Sequence, residues 1–138
     1  MHQDYIFDDI VPRRYNEEVK WEVEFHSDFS PEFDALPEDV QDEILSHSVL
    51  PERFGPQLGR PRVDTLKGSR HANMKELRFE ADNGVWRVAF AFDPKRRAIL
   101  LVAGDKSGVG EGRFYRNPIA KADERFDGHL LRTKKKGN

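Results

Sequence analysis

The sequence of 138 residues contains no cysteine, which excludes a disulfide framework and a thiolate metal site. A chain without cysteine is typical of a reducing compartment, and we expect a cytoplasmic location. Long apolar runs are also missing, since no segment approaches the roughly 18 apolar residues that a membrane-spanning helix needs. The first residues lack the basic-then-apolar pattern of a signal peptide. We therefore expect neither a membrane protein nor a disulfide-rich secreted one.

The apolar fraction is low, at 37%, and the charged fraction is high, at 35%. A chain of this length is sufficient for one domain with one core. Ten phenylalanines and two tryptophans compensate for the shortage of apolar residues, because each aromatic side chain buries a large area. We expect a thin core beneath a heavily charged surface.

The formal net charge of −2 conceals an uneven distribution of charge along the chain. Residues 1–66 include 16 acidic and 6 basic residues, whereas residues 67–138 include 9 acidic and 17 basic residues. One interpretation is an acidic helical layer and a basic sheet edge that are merely solvated. The other is a basic face for nucleic acid and an acidic back that limits indiscriminate binding.

The first half of the chain predicts a strand followed by two helices. Apolar and charged residues alternate over 19–25, as in a half-buried strand. Helical spacing follows over 29–36, and Pro37 begins a second helix that we expect to end before Pro51. Residues 1–18 lack this periodicity and are predicted to form an N-terminal arm. The single domain then spans 19–132, and a basic tail spans 133–138.

The second half predicts a three-stranded antiparallel meander and a last helix. Residues 59–72 are polar and predict a long loop, a kind of segment that is often functional. Turn sequences separate three apolar segments, so both connections are predicted hairpins; the segments are 74–80, 85–93 and 98–104. The last helix is expected from about Asn117. This order predicts an α+β fold with helices on one sheet face and the other face partly open to water.

Each predicted meander strand carries a cation within it or just beyond its end, which is unusual because an unpaired buried ion costs several kcal/mol. Alternation would place Arg87 in the middle of the open face. The alternative is an arginine that extends over apolar surface with its charged end in water or that pairs with Glu76. Lys75 and Arg78 have opposite parity, so a regular strand presents both on one side only if a bulge intervenes. Lys106 follows the last strand. Cations from three strands favour an anionic ligand, and phosphate is the first candidate.

The five histidines have no metal-binding spacing, and the glycines match no nucleotide-binding fingerprint, so we expect neither metal nor cofactor. His71 differs from the others because it lies in the predicted loop with Lys67 and Arg70. There it could act as a proton carrier or contact a phosphate. Tyr115 precedes the last predicted helix, where its ring could stack on RNA or its hydroxyl could donate to RNA. The alternative for these side chains is ordinary surface exposure or packing.

If the strand cations converge, the reaction that suits them is cleavage of RNA by its own ribose. A base removes the 2′-hydroxyl proton, the oxygen attacks the neighbouring phosphate, and cations stabilise the dianion that forms, without a metal ion. Alignment of the attacking oxygen contributes further to the rate.

Five short motifs occur in order along the chain: LKGSR at 66–70, KELR at 75–78, WRV at 86–88, AILL at 98–101 and GDK at 104–106. Their combination resembles the RelE/HigB-type toxins of bacterial type II toxin–antitoxin systems, in particular the phage-derived Gp49-like HigB branch. The resemblance covers about residues 21–130. It implies a RelE/ParE-like fold and a ribosome-dependent mRNA endonuclease that inhibits translation.

The resemblance also implies roles and partners. By position, Arg87 would contact the scissile phosphate, and Lys106 would stabilise charge or protonate the leaving 5′ oxygen. Lys75 would accept a proton or anchor a phosphate, and Tyr115 would orient the nucleotide. Arg78 would be either structural or catalytic. The implied partners are a helix-turn-helix antitoxin, the ribosome and mRNA.

Two other functions remain open on the same scaffold. A ParE-like chain would inhibit a topoisomerase without cutting RNA, although such relatives tend to lack the phosphate-facing cations. A degenerate prophage remnant would keep the fold and bind only its antitoxin.

Overall fold

The computed structural model describes residues 21–59, 62–105 and 111–137, without the side chains of 111–117, 136 and 137. The helices and strands, in chain order, are β1 (Glu22–Phe25), α1 (Phe29–Asp34), α2 (Glu38–His47), α3 (Val49–Phe54), β2 (Val63–Thr65), β3 (Met74–Ala81), β4 (Gly84–Phe92), β5 (Arg97–Asp105) and α4 (Glu111–Gly137). A short 3-10 turn, Gly55–Gln57, follows α3.

The five strands form one sheet in the order β1-β5-β4-β3-β2. The predicted meander is confirmed, because β3, β4 and β5 pair antiparallel in sequence, and each boundary lies within one residue of its prediction. β1 joins the far edge in parallel with β5. The α+β fold class is therefore confirmed.

The turn of the β3–β4 hairpin has the backbone conformation that its sequence predicts. Ala81 pairs with Gly84, which leaves Asp82 and Asn83 as a two-residue loop. Both loop residues have positive φ, 52° and 58°. A two-residue hairpin of type I′ requires positive φ at both positions, and Asn and Asp tolerate it better than other non-glycine residues.

Helices pack on both faces of the sheet, so the face that we expected to be partly open to water is covered over most of its area, although the Arg78 side chain on that face is 34% exposed. On one face, phenylalanines and aliphatic residues of the sheet pack against α1 and α2. On the other, the small and aliphatic residues of the sheet pack under α4; this second cluster includes Ala89, Ala91, Ile99, Leu101, Ile119, Ala122 and Phe126. Since β4 and β5 are apolar on both sides, a second layer must cover them. At 27 residues, α4 is about 40 Å long and spans the sheet.

Three boundaries also differ from the predictions. Pro51 does not end a helix but lies in the first turn of α3, where the missing N–H of a proline costs little. The predicted loop at 59–72 includes the edge strand β2, which pairs with β3. The last helix begins at Glu111, six residues before Asn117, and has Pro118 in its interior. In the part of the chain that the structure describes, no helix has the length and apolar character needed to cross a bilayer.

Candidate active site

Arg87 and Glu76 come from neighbouring strands and meet beneath α4. Glu76 pairs with Ala89 in the register, and Arg78 pairs with Arg87, so all four side chains share one sheet face. Arg87 Nη1 donates to Glu76 Oε1 at 3.3 Å. The two side chains are only 7% and 4% exposed. The prediction that Arg87 projects from an open face is thus wrong because α4 covers that face, and the alternative pairing with Glu76 is confirmed.

Arg78 binds the second oxygen of the same carboxylate. Its Nε and Nη2 donate to Glu76 Oε2 at 3.0 and 2.8 Å. A weaker contact of 3.7 Å joins Arg78 Nη2 to Asp64 Oδ2 on β2. The Arg78 side chain is 34% exposed. One buried carboxylate therefore fixes two guanidinium groups, one of them buried and the other accessible from solvent.

A small cavity of about 10 Å³ lies beside this pair, under the interior turn of α4 that contains Pro118. Its lining includes Arg87, Glu76, Ala89 and Gly104. This volume holds about one water molecule and not a phosphate group. In this conformation, a phosphate in solvent would contact the cluster of Glu76, Arg78 and Arg87 through the exposed guanidinium group of Arg78.

Lys75 lies on the opposite face of the sheet. It pairs with Phe90, whose side chain belongs to the core beneath α1 and α2. Lys75 lines a separate groove of about 580 Å³ that is mainly apolar and includes Trp21 and Phe92. The bulge in the sheet falls between Ala89 and Phe90, where β4 meets β5, and leaves the β3 register regular. Strand parity therefore separates Lys75 from Arg78, as the sequence indicated, and the predicted cations do not all converge.

Two of the predicted residues cannot be placed completely. Lys106 lies outside the described residues, directly after Asp105, which pairs with Trp86 at the end of β5. Tyr115 lies within α4, but its side chain is outside the described part of the chain.

The basic loop is anchored to α4 by two aspartates that sequence reasoning missed. Asp123 accepts from Ser69 Oγ at 2.5 Å and from the Arg70 backbone N–H at 3.0 Å. Asp127 accepts from the Arg70 guanidinium and lies 2.7 Å from His71 Nε2. Their spacing of four residues on one helix face was the available signal.

The electrostatics of this anchor follow from its hydrogen bonds. The bond from His71, followed by those of Arg70, lowers the pKa of Asp127 although burial opposes the shift. Asp127 thus brings the side chains of Arg70 and His71 together, and its carboxylate engages both. Lys67 is exposed in the same loop. Within the described ranges no group of three or more histidine, aspartate and glutamate side chains could hold a metal ion.

Comparisons with known proteins agree with this architecture. The family described as phage-derived protein Gp49-like matches residues 31–127. Two relatives from Mycobacterium tuberculosis are named as candidate toxins, HigB2 and HigB3. HigB2 is 43% identical over 70% of this chain, and HigB3 is 46% identical over 71%. The aligned part is 48% of HigB2 and 83% of HigB3, so this chain spans about half the length of the former.

A solved structure of a mutant E. coli toxin RelE in the free state matches with a TM-score of 0.54 over 77% of this chain and 97% of that chain. At 10% identity this match concerns the fold alone. Because the family covers more than two thirds of the chain and both relatives exceed 40% identity, the family is established. The chain belongs to the phage-derived Gp49-like family together with its relatives HigB2 and HigB3, and it has the fold of toxin RelE.

Proposed function

We propose that this protein is a ribosome-dependent mRNA endoribonuclease whose cleavage of mRNA inhibits translation, and that a cognate helix-turn-helix antitoxin silences it. The Gp49-like family and the relatives named HigB2 and HigB3 support a toxin. The observation that carries the nuclease proposal is the pair of guanidinium groups, Arg78 and Arg87, held from two strands by the buried carboxylate of Glu76.

This arrangement suits a transition state with two negative charges on the non-bridging phosphate oxygens. The two guanidinium groups carry two positive charges and Glu76 carries one negative charge, so the cluster keeps a net positive charge. Asp64 offsets this charge less, because it is more distant from Arg78 than Glu76 is. Guanidinium donors match phosphate oxygens in geometry. Because Glu76 already fixes both groups, little reorganisation is needed when the negative charge develops.

In the proposed reaction, the ribose 2′-hydroxyl gives its proton to solvent as its oxygen attacks the adjacent phosphorus. The bond from phosphorus to the 5′-oxygen breaks without a metal ion, which leaves a 2′,3′-cyclic phosphate and a 5′-hydroxyl. Arg78 contacts the phosphate from the solvent side, and Arg87 stabilises the charge from beneath. Lys106, two residues beyond the Gly104 that pairs with Arg87, protonates the leaving oxygen. We assign Lys75 to a contact with mRNA away from the scissile phosphate, because it lies on the other face.

We assign the remaining predicted residues to further contacts with RNA. Lys67 is exposed and contacts the RNA backbone, and Tyr115 orients the nucleotide. Arg70 and His71 contact RNA while both side chains remain paired with the carboxylate of Asp127.

Inducible expression in bacteria tests the proposal. Wild-type protein should stop growth and truncate mRNA at codon boundaries, and purified protein should cut mRNA only when ribosomes are present. Co-expression with the antitoxin should restore growth. Arg78→Gln should reduce cleavage, whereas Lys134→Gln, which also removes one exposed positive charge, is the matched control. Intact mRNA with a DNA-damage response would favour a topoisomerase inhibitor instead, and normal growth with wild-type protein would contradict toxin activity.

A further inference from the structure

A second group of cations surrounds a cavity of about 310 Å³ near the C-terminal part of α4. The cavity lies between the end of β1, the start of β5 and α4. Its charged and histidine lining comprises one acidic residue and five basic or imidazole side chains: Glu24, His26, Lys95, Arg97, His129 and Arg132. Arg97 begins β5, seven residues before the Gly104 that pairs with Arg87. Seven strand residues span about 23 Å, so one phosphate cannot contact both clusters.

The contacts of His26 place two hydrogen-bond donors opposite each other. The backbone N–H of Asp28 donates to His26 Nδ1 at 3.0 Å. Since Nδ1 accepts, the ring proton is assigned to Nε2. His26 Nε2 lies 3.2 Å from Arg132 Nη2, which is itself a donor and has no accepting capacity. Neither group can satisfy the other, and an oxygen that accepts from both would satisfy this geometry.

The carboxylates around the cavity are committed to other partners. Asp93 is buried and lies 2.8 Å from both His129 Nε2 and Arg97 Nη2. Glu24, which lines the cavity, lies 3.6 Å from Arg97 Nη1, and the Asp28 carboxylate also acts on the His26 ring. Among the described residues, no carboxylate forms a salt bridge with Arg132 or Lys95. The rim of the cavity therefore keeps positive charge at the place where His26 and Arg132 donate.

We propose that this cavity is a second anion site that binds a phosphate group, with one phosphate oxygen accepting from His26 Nε2 and Arg132. The exposed ammonium group of Lys95 adds positive charge at the rim. The ligand is either a phosphodiester of RNA or a free phosphate, since both present the same oxygens. The site does not depend on the proposed cleavage reaction.

The surroundings of His26 provide a direct readout of phosphate binding. Burial lowers the pKa of His26; the charges of Arg132, Arg125 and His129 lower it too, whereas Asp28 opposes the shift. An anion placed beside Nε2 stabilises the protonated ring, so the pKa of His26 should rise when phosphate binds.

The test follows the His26 ring by NMR across a pH titration of the full chain, with inorganic phosphate or with sodium chloride of equal ionic strength. Phosphate should raise the His26 pKa by about half a unit or more relative to chloride. Arg132→Gln should abolish this difference, whereas Lys134→Gln, on the same helix, should retain it. An equal response to chloride, an unchanged response in Arg132→Gln, or no response to phosphate would each overturn the proposal.

A second arm distinguishes the two sources of phosphate. A short single-stranded RNA should produce the same change at a lower phosphate concentration than the inorganic ion if the natural ligand is RNA. A response to inorganic phosphate alone would support a free anion as the ligand. The experiment measures the titration of His26 and not cleavage. A negative result would therefore overturn the anion site without bearing on whether the protein cleaves mRNA.

Discussion

Arg87 and Glu76 form a buried ion pair across β3 and β4, with Nη1 of the arginine 3.3 Å from Oε1 of the glutamate. This pair connects stability to the proposed chemistry, because Glu76 also holds the accessible guanidinium group of Arg78. A buried carboxylate that keeps a hydrogen-bonded cation on each oxygen has much of its desolvation cost offset.

We predict that the Arg87→Met and Glu76→Met changes are not additive. Removal of one partner from a buried pair costs about 3–5 kcal/mol, and Arg87→Met should fall below that range because Arg78 still pairs with Glu76. Glu76→Met should cost more, since it leaves the Arg87 guanidinium buried. The double variant should be more stable than Glu76→Met alone. Urea denaturation measures the three free energies of unfolding, and simple additivity would contradict the prediction.

Arg78 and Lys75 should differ in their effect on mRNA cleavage because they lie on opposite sheet faces. Loss of one donor to a transition state typically costs about 100-fold or more, and Arg78→Gln should approach this value. Lys75→Gln should cost less than about tenfold, or 1.4 kcal/mol. Initial rates on ribosome-bound mRNA give the comparison, with unfolding curves as a check on folding. If Lys75→Gln lowers the cleavage rate more than Arg78→Gln does, the reaction centre lies on the Lys75 face of the sheet and the proposed site is wrong.

Gly55→Ala should be among the most destabilising small changes in the described chain. Gly55 has a φ of 61°, which disfavours any side chain, and a Cβ would lie 2.8 Å from Cδ1 and 2.9 Å from Cε2 of Trp21. Overpacking of this kind costs about 1–3 kcal/mol, and the left-handed backbone adds to it. Thermal unfolding measures the effect. Gly59→Ala is the control, because a Cβ added at Gly59 would have no heavy atom within 4 Å. Equal melting temperatures for the two variants would contradict this packing.

Asp127 should make stability depend on pH. Because the hydrogen bond from His71 lowers its pKa in the folded state, its contribution is present above the unfolded value of about 3.9. That contribution is lost as the pH falls through the lower, folded-state pKa. The melting temperature of wild type should therefore exceed that of Asp127→Asn near neutral pH, and the gap should shrink in acid. Glu124→Gln, elsewhere on α4, is the control, and a constant gap would argue against the anchor.

Much of the fold could be predicted from local patterns. The meander strands were located within one residue because apolar runs and turn sequences mark both ends of each strand. The edge strand β2 was missed because its three residues, Val63–Thr65, are too few to establish a period. The start of α4 was missed because residues 111–117 lack a clear apolar period before Pro118.

The candidate site was predicted less completely. Parity correctly separated Lys75 from Arg78, since side chains alternate strictly in a regular strand. The burial of Arg87 was not predicted, because strand alternation assigns a residue to a face without indicating what covers that face. The aspartates that anchor the basic loop, Asp123 and Asp127, lie more than 50 positions from their partners.

The sequence by itself determined the three meander strands, their hairpins and the separation of Lys75 from Arg78 on opposite faces, because these depend on backbone geometry within a few residues. Only the tertiary structure decided that α4 closes over Arg87, that Glu76 unites it with Arg78, and that His26 meets Arg132 at the far end of the sheet. These contacts join residues distant in the chain, and packing of both apolar sheet faces away from water brings them together.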